Sequence, residues 1–90
     1  MKTDAELERE IAKGENAKRI LEDPMVRGAL DGMRDTVYHN IRTSHHSKVD
    51  EREDLYKMLR AIDAFEKEFT TYINGGKKAK SLLEKLFKGN

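Results

Sequence analysis

Apolar residues recur at spacings of three and four along most of the chain, which is the period of an amphipathic α-helix. The first stripe comprises Leu7, Ile11, Gly14, Ala17 or Lys18, and Leu21. Ahead of it, Thr3-Asp4-Ala5-Glu6 fits a capping box that marks the start of a helix. Because glycine costs about 1 kcal/mol relative to alanine inside a helix, we expect at Gly14 either a bend or the close approach of another backbone.

Asp23-Pro24 separates this helix from a second one. Proline disfavours helical geometry in the residue before it, whereas its fixed φ suits the first position of a helix capped by Asp23. A second helix is therefore predicted from about Pro24 to Arg42. Its stripe comprises Val26, Leu30, Met33, Val37 and Ile41. Ala29 and Gly32 lie beside this stripe, where small residues admit a close neighbour.

The third helix carries the longest regular pattern. Thr43 to Lys48 contains no apolar residue and is typical of a turn, after which a cap at Asp50 predicts a helix that runs to Ile73. The apolar residues of this helix follow one another at spacings of 3, 4, 3, 4 and 3, as in helices that pack in a left-handed coiled coil. A chain of 90 residues buries too little surface to be more than marginally stable alone. We therefore predict that this stripe, the α3 seam, mediates self-association through Leu55, Met58, Ile62, Phe65, Phe69 and Tyr72.

Asn74-Gly75-Gly76 is predicted to end the third helix, because glycine tolerates the left-handed geometry of a helix C-terminus. The expected fold is all-α: a hairpin of two long antiparallel helices, with an N-terminal helix and a short basic C-terminal helix. Residues 1–76 would form the helical domain, and residues 77–90 a basic amphipathic helix. The residues predicted to bind a partner in this tail are Lys77, Lys78, Lys80, Leu82, Leu83, Lys85, Leu86 and Phe87.

Charged residues make up 39% of the chain and are unevenly distributed, although the net charge is only +1. Residues 1–23 carry five positive and seven negative charges, whereas residues 74–90 carry five positive and one negative. The basic tail is compatible with nucleic-acid phosphates, a membrane surface or an acidic groove on a protein. The spacing of its leucines favours docking into a groove on a protein.

The residue types exclude several chemistries. The chain has no cysteine, hence no disulfide and no thiol nucleophile. His39, His45 and His46 are the only cluster with metal-ligand residue types. Adjacent histidines in a polar turn lack the fixed i, i+4 geometry of zinc sites, so no metal and no cofactor are predicted. The carboxylates alternate with lysine and arginine on helix faces, and no nucleophile turn or phosphate-binding loop is present. We expect a protein that is not an enzyme.

No stretch of the sequence has the roughly 20 apolar residues that span a bilayer, and the N-terminus has no apolar signal region. We therefore expect a cytoplasmic protein without membrane contact.

Three segments resemble small uncharacterised helical proteins of tailed bacteriophages and prophages. They are Ala17-Lys18-Arg19-Ile20-Leu21-Glu22-Asp23-Pro24-Met25, Arg52-Glu53-Asp54-Leu55-Tyr56 and Gly76-Lys77-Lys78-Ala79. The resemblance extends over residues 15–80 and contains no catalytic motif. It implies a structural or assembly role, because such proteins are often encoded near virion or packaging genes. The turn that holds the histidines departs from the aromatic, polar turn expected for such proteins.

Three functional hypotheses follow. The first is a homo-oligomeric helical protein that acts through protein–protein contacts and serves as a virion-associated, assembly or packaging accessory with a larger partner. The second is a small inhibitor that binds one host enzyme or defence complex. The third is nucleic-acid binding through the basic C-terminal tail.

Overall fold

The computed structural model describes residues 1–88, and these form three helices and no strand. Helix α1 spans Asp4–Glu22, α2 spans Pro24–Thr43 and α3 spans Val49–Lys88. The all-α prediction is confirmed. Two of the three predicted caps are confirmed, since Thr3 Oγ1 accepts a hydrogen bond from the Glu6 amide at 3.2 Å and Asp23 Oδ1 accepts one from the Met25 amide at 2.8 Å. The predicted cap at Asp50 is wrong, because α3 begins at Val49 and Asp50 lies inside its first turn.

Helix α3 is the longest element of the molecule, with 40 residues and a length of about 60 Å. Helices α1 and α2 lie one after the other along it, and both run antiparallel to it. Leu7 of α1 packs against Leu83, and Gly14 lies against Gly76, whereas Met33 of α2 lies across a groove from Ile62. The result is an elongated molecule of 66 × 27 × 16 Å, in which α1 and α2 are separated at Asp23-Pro24 and each forms an antiparallel pair with part of α3. We use the word hairpin for the α2–α3 pair.

The predicted end of the third helix at Asn74-Gly75-Gly76 is wrong. Helix α3 continues through these residues to Lys88, and no glycine of the described chain has a positive φ. The predicted boundary at residue 76 therefore falls inside α3, and residues 77–88 of the basic tail form the last turns of α3 rather than a separate short helix. The remaining two residues of the predicted tail, 89 and 90, lie outside the described residues. Tertiary contact with α1 has overridden the weak helix propensity of the two glycines.

The contact that stabilises this region is a close crossing of α1 and α3 at Gly14 and Gly76, both of which are buried. A Cβ atom built on Gly14 would lie 2.8 Å from the carbonyl oxygen of Tyr72 and 3.0 Å from Cα of Gly76. The backbones therefore approach more closely than any side chain would allow. Of the two alternatives expected at Gly14, the close approach of another backbone is confirmed.

The core is thin because each helix buries only one narrow stripe. A cluster of Leu7, Ala79 and Leu83, with Ile11 at its edge, joins α1 to the C-terminal half of α3. Leu30 and Val37 are the buried residues of α2. A large apolar surface is left outside this core.

The connection between α2 and α3 is held by one side chain. The guanidinium of Arg52 donates hydrogen bonds to the carbonyl oxygens of His45 at 2.7 Å and His46 at 2.8 Å. A residue of the first turn of α3 thus contacts the polar turn that the sequence predicted and helps to stabilise it.

Candidate interaction face

The six residues of the α3 seam lie on one continuous helix, and none of them is buried. Met58 and Phe65 are 53% and 55% exposed. Leu55, Ile62, Phe69 and Tyr72 are half-buried. One copy of the chain therefore covers the seam only in part, and most incompletely near Met58 and Phe65.

The seam continues beyond Tyr72 with an unchanged period. Gly76, Ala79, Leu83 and Leu86 follow at spacings of 4, 3, 4 and 3, and the first three of them are buried beneath α1. The same stripe is thus covered by α1 in the C-terminal half of α3 and left open in the N-terminal half, where α2 packs to one side of it.

The open half of the stripe borders an apolar groove between α2 and α3, which we call the hairpin groove. It encloses about 690 Å³. Its lining is Ala29, Gly32, Met33, Thr36 and Val37 of α2 and Met58, Ala61 and Ile62 of α3. None of these side chains is charged. Phe65 follows Ile62 on the seam, one turn further along α3.

Helix α2 contributes more to this face than its predicted stripe suggested. Met33 is 46% exposed, and a Cβ atom built on Gly32 would meet no atom within 4 Å. The open side of α2 is a second stripe without any charge, formed by Met25, Ala29, Gly32, Thr36, Asn40 and Thr43. These six positions at helical spacing carry no charge, although 39% of the residues of the chain are charged. This absence of charge identifies the second stripe in the sequence.

The opposite face of the hairpin is polar and closed by ion pairs. Arg34 Nη2 lies 2.8 Å from Glu66 Oε1 and 3.0 Å from Asp63 Oδ1, and Arg27 Nη1 lies 3.3 Å from Glu66 Oε2. These pairs bridge α2 and α3. The hairpin is therefore amphipathic as a unit, with a polar network on one face and an uncharged groove on the other.

The Arg34 guanidinium holds the pKa of the half-buried Glu66 carboxyl below its ordinary value of 4.5, although desolvation acts in the opposite direction. Since the pKa of Glu66 is lower in the folded chain than in the unfolded chain, the stabilisation is fully present above about pH 5 and is lost as the pH falls through the folded value.

We expect Glu66→Gln to lower the free energy of unfolding at neutral pH by about 1 kcal/mol, a modest value because both partners retain solvent contact. The difference from the wild type should shrink between about pH 5 and pH 2. Urea unfolding across this range measures it, with Glu53→Gln, an exposed carboxylate of the same helix, as control. An undiminished difference at the acid end of this range would contradict the assignment of the pair.

The structure does not bring the predicted tail residues to one accessible surface. Leu83 is buried against Leu7 of the same chain, whereas Leu82 and Leu86 are each 50% exposed and Phe87 is 77% exposed. Lys77 and Lys80 line a shallow groove at the glycine crossing, next to Glu15 and Lys18 of α1. Lys78 and Lys85 are exposed. Part of the apolar surface that the tail was predicted to offer to a partner is therefore covered by α1.

The three histidines do not converge. His39 lies on α2, whereas His45 and His46 stack in the turn with ring centroids 4.2 Å apart. His45 Nδ1 contacts Ser47 Oγ at 2.7 Å. Within residues 1–88 no three histidine, aspartate or glutamate side chains are arranged to hold a metal ion.

None of the helices in the described part of the chain has a segment long and apolar enough to cross a bilayer. No family model matches this chain, and neither a curated protein nor a solved structure is similar to it.

Proposed function

We propose that this protein is a helical building block that acts through protein–protein contacts and self-associates through the hairpin groove and the open half of the α3 seam. The observation that carries the proposal is the uncharged groove flanked by Met33, Met58 and Phe65, all about half exposed. Burying apolar surface contributes about 25 cal/mol per Å². A marginal single-layer hairpin thus gains stability when this face is covered.

A second copy is the occupant that suits this face best. The groove contains protruding side chains, Met33 and Met58, beside the small residues Ala29, Gly32 and Ala61. In a two-fold interface the same patch of both copies meets, so the methionines of one copy lie beside the small residues of the other. The face carries no charge that would favour an acidic or basic partner instead.

The larger partner of the first functional hypothesis would meet the other end of the molecule, where Leu82, Leu86 and Phe87 are exposed at the end of α3. The resemblance of the sequence suggests an assembly or packaging accessory of a tailed phage. A rod-shaped molecule with one surface for self-association and another for a partner agrees with this role. This role remains a proposal.

The test is the mass of the protein in solution, measured by sedimentation velocity from low to high micromolar concentration. We expect the mass to rise from that of one chain towards that of two. A mass of one chain over the whole range would contradict self-association and would favour the inhibitor hypothesis, in which the face is covered by a different protein.

A further inference from the structure

We propose that two copies of the chain pair antiparallel through their hairpin grooves, about a two-fold axis level with Gly32 and Asp63, to form a rod with the same α1–α3 end at both tips. This arrangement rests on the proposed self-association and specifies its geometry. The partner is a second copy, and the orientation follows from three features of the exposed face.

The first feature is the match of large and small residues on α3. Ala61 lines the hairpin groove, Phe65 lies four residues later on the α3 seam, and both are exposed. In an antiparallel pair centred near Asp63, the Phe65 ring of each copy lies over Ala61 of the other, and the same contact occurs twice. In a parallel pair that packs α3 on α3, Phe65 would meet Phe65, and Ala61 would face Ala61 across a gap. Interfaces pack as densely as protein interiors, which favours the antiparallel pair.

The second feature is charge. Lys57 and Glu68 border the stripe at nearly equal distances on either side of Asp63, and both are exposed. An antiparallel pair places Lys57 of each copy beside Glu68 of the other, whereas a parallel pair that packs α3 on α3 places like charges side by side. The Glu68 carboxylate also raises the pKa of the Tyr72 hydroxyl. A carboxylate with two acceptor oxygens has room for both partners.

The third feature is Gly32. Gly14 and Gly76 have low helix propensity, but they allow the close crossing of two backbones. Within one copy, no atom lies within 4 Å of a Cβ atom built on Gly32. Arg34 contacts Asp63 across the hairpin, so Gly32 lies at the level of the axis inferred from α3. The same axis therefore brings Gly32 of one copy to Gly32 of the other. In the proposed pair, no side chain separates the two α2 backbones at this position.

The antiparallel rod places its two ends far apart. Lys85 lies 22 residues beyond Asp63 on the same continuous helix, so the two copies of Lys85 would be about 65 Å apart along the rod. A parallel pair would bring them to within about 25 Å, a helix diameter plus two side chains.

The experiment is pulsed electron paramagnetic resonance on the full chain carrying Lys85→Cys with a nitroxide label, which is specific because the chain has no native cysteine. The mass of the same sample is measured in parallel. We expect a dimeric mass and a distance of about 65 Å. A dimeric mass with a short distance would overturn the antiparallel arrangement and leave self-association intact. A monomeric mass without a dipolar signal would overturn both.

A charge exchange gives an independent readout. Lys57→Glu and Glu68→Lys should each weaken dimerisation roughly fivefold at low salt, because each creates two like-charge contacts, and the double variant should restore wild-type affinity. Double-variant affinity as weak as that of the worse single variant would overturn the proposed contact.

Discussion

Replacing Gly14 by alanine is expected to lower the free energy of unfolding by about 2 kcal/mol, although alanine is the better helix former. The added methyl group would meet the Tyr72 carbonyl oxygen at 2.8 Å and Cα of Gly76 at 3.0 Å. Both are backbone atoms that cannot rotate away. Helix α1 must therefore move outward, and the contact between Leu7 and Leu83 loosens with it.

The matched control is Gly28→Ala. Gly28 also lies inside a helix, but a methyl group there meets nothing within 4 Å. The control should therefore raise the free energy of unfolding by about 1 kcal/mol, the difference in helix propensity. A gap of about 3 kcal/mol between the two variants corresponds to more than about 10 °C in melting temperature for a domain of this size. Thermal and urea unfolding followed by circular dichroism measure it.

The outcome distinguishes two architectures. If α3 ended at Gly75-Gly76 and the tail were a separate helix, α1 would not cross the backbone at Gly76, and Gly14→Ala would destabilise the chain much less. Equal stabilisation by both variants would contradict the continuous α3.

Phe65→Asp is expected to weaken self-association at least a hundredfold, which is about 2.7 kcal/mol. The ring is 55% exposed in a single copy, where it contacts Phe69 edge to face, and the proposed dimer covers the exposed part. The substitution removes two aromatic contacts from a two-fold interface and buries two carboxylates without partners. The unfolding free energy of the monomer should change little by comparison.

Tyr38→Asp is the control for this variant. Tyr38 is 44% exposed and lies on α2 outside the hairpin groove, so the same change in charge should leave the association constant almost unaffected. Sedimentation equilibrium of both variants gives the comparison. Equal weakening by the two substitutions would indicate a general effect of charge rather than an interface at the seam.

The local features of this fold can be predicted from the sequence. Side chains next to their own backbone define the starts of α1 and α2, as at Thr3 and Asp23, and such contacts can be predicted from neighbouring residues. The α3 seam was equally accessible, because a 3-4 repeat over six apolar positions is specific to a long helix with one packed edge.

The end of α3 was mispredicted because local and tertiary preferences conflict at Gly75-Gly76. Two glycines favour a helix end locally, but Gly76 is also the point at which α1 crosses. The seam provided a signal, since Gly76, Ala79, Leu83 and Leu86 continue the repeat without a break. A glycine in register with a long apolar stripe is better interpreted as a contact position than as a terminator.

The hairpin groove was predicted only on its α3 side. Its α2 side depends on small and uncharged residues such as Ala29 and Gly32, which add nothing to an apolar stripe and become visible as a surface only when α2 is placed beside α3. The position of the basic tail also required the structure, because its apolar partners Leu7 and Ile11 lie at the other end of the chain.

The methionine methyl groups provide the most direct measurement on the hairpin face. Met33 and Met58 line the groove, whereas Met1 lies fully exposed at the start of the chain. In methyl-labelled protein observed by NMR over a dilution series, we predict that the resonances of Met33 and Met58 shift together with concentration and that the resonance of Met1 stays in place. Constant shifts for Met33 and Met58 up to the highest concentration, with the diffusion coefficient of a single chain, would contradict self-association through this face.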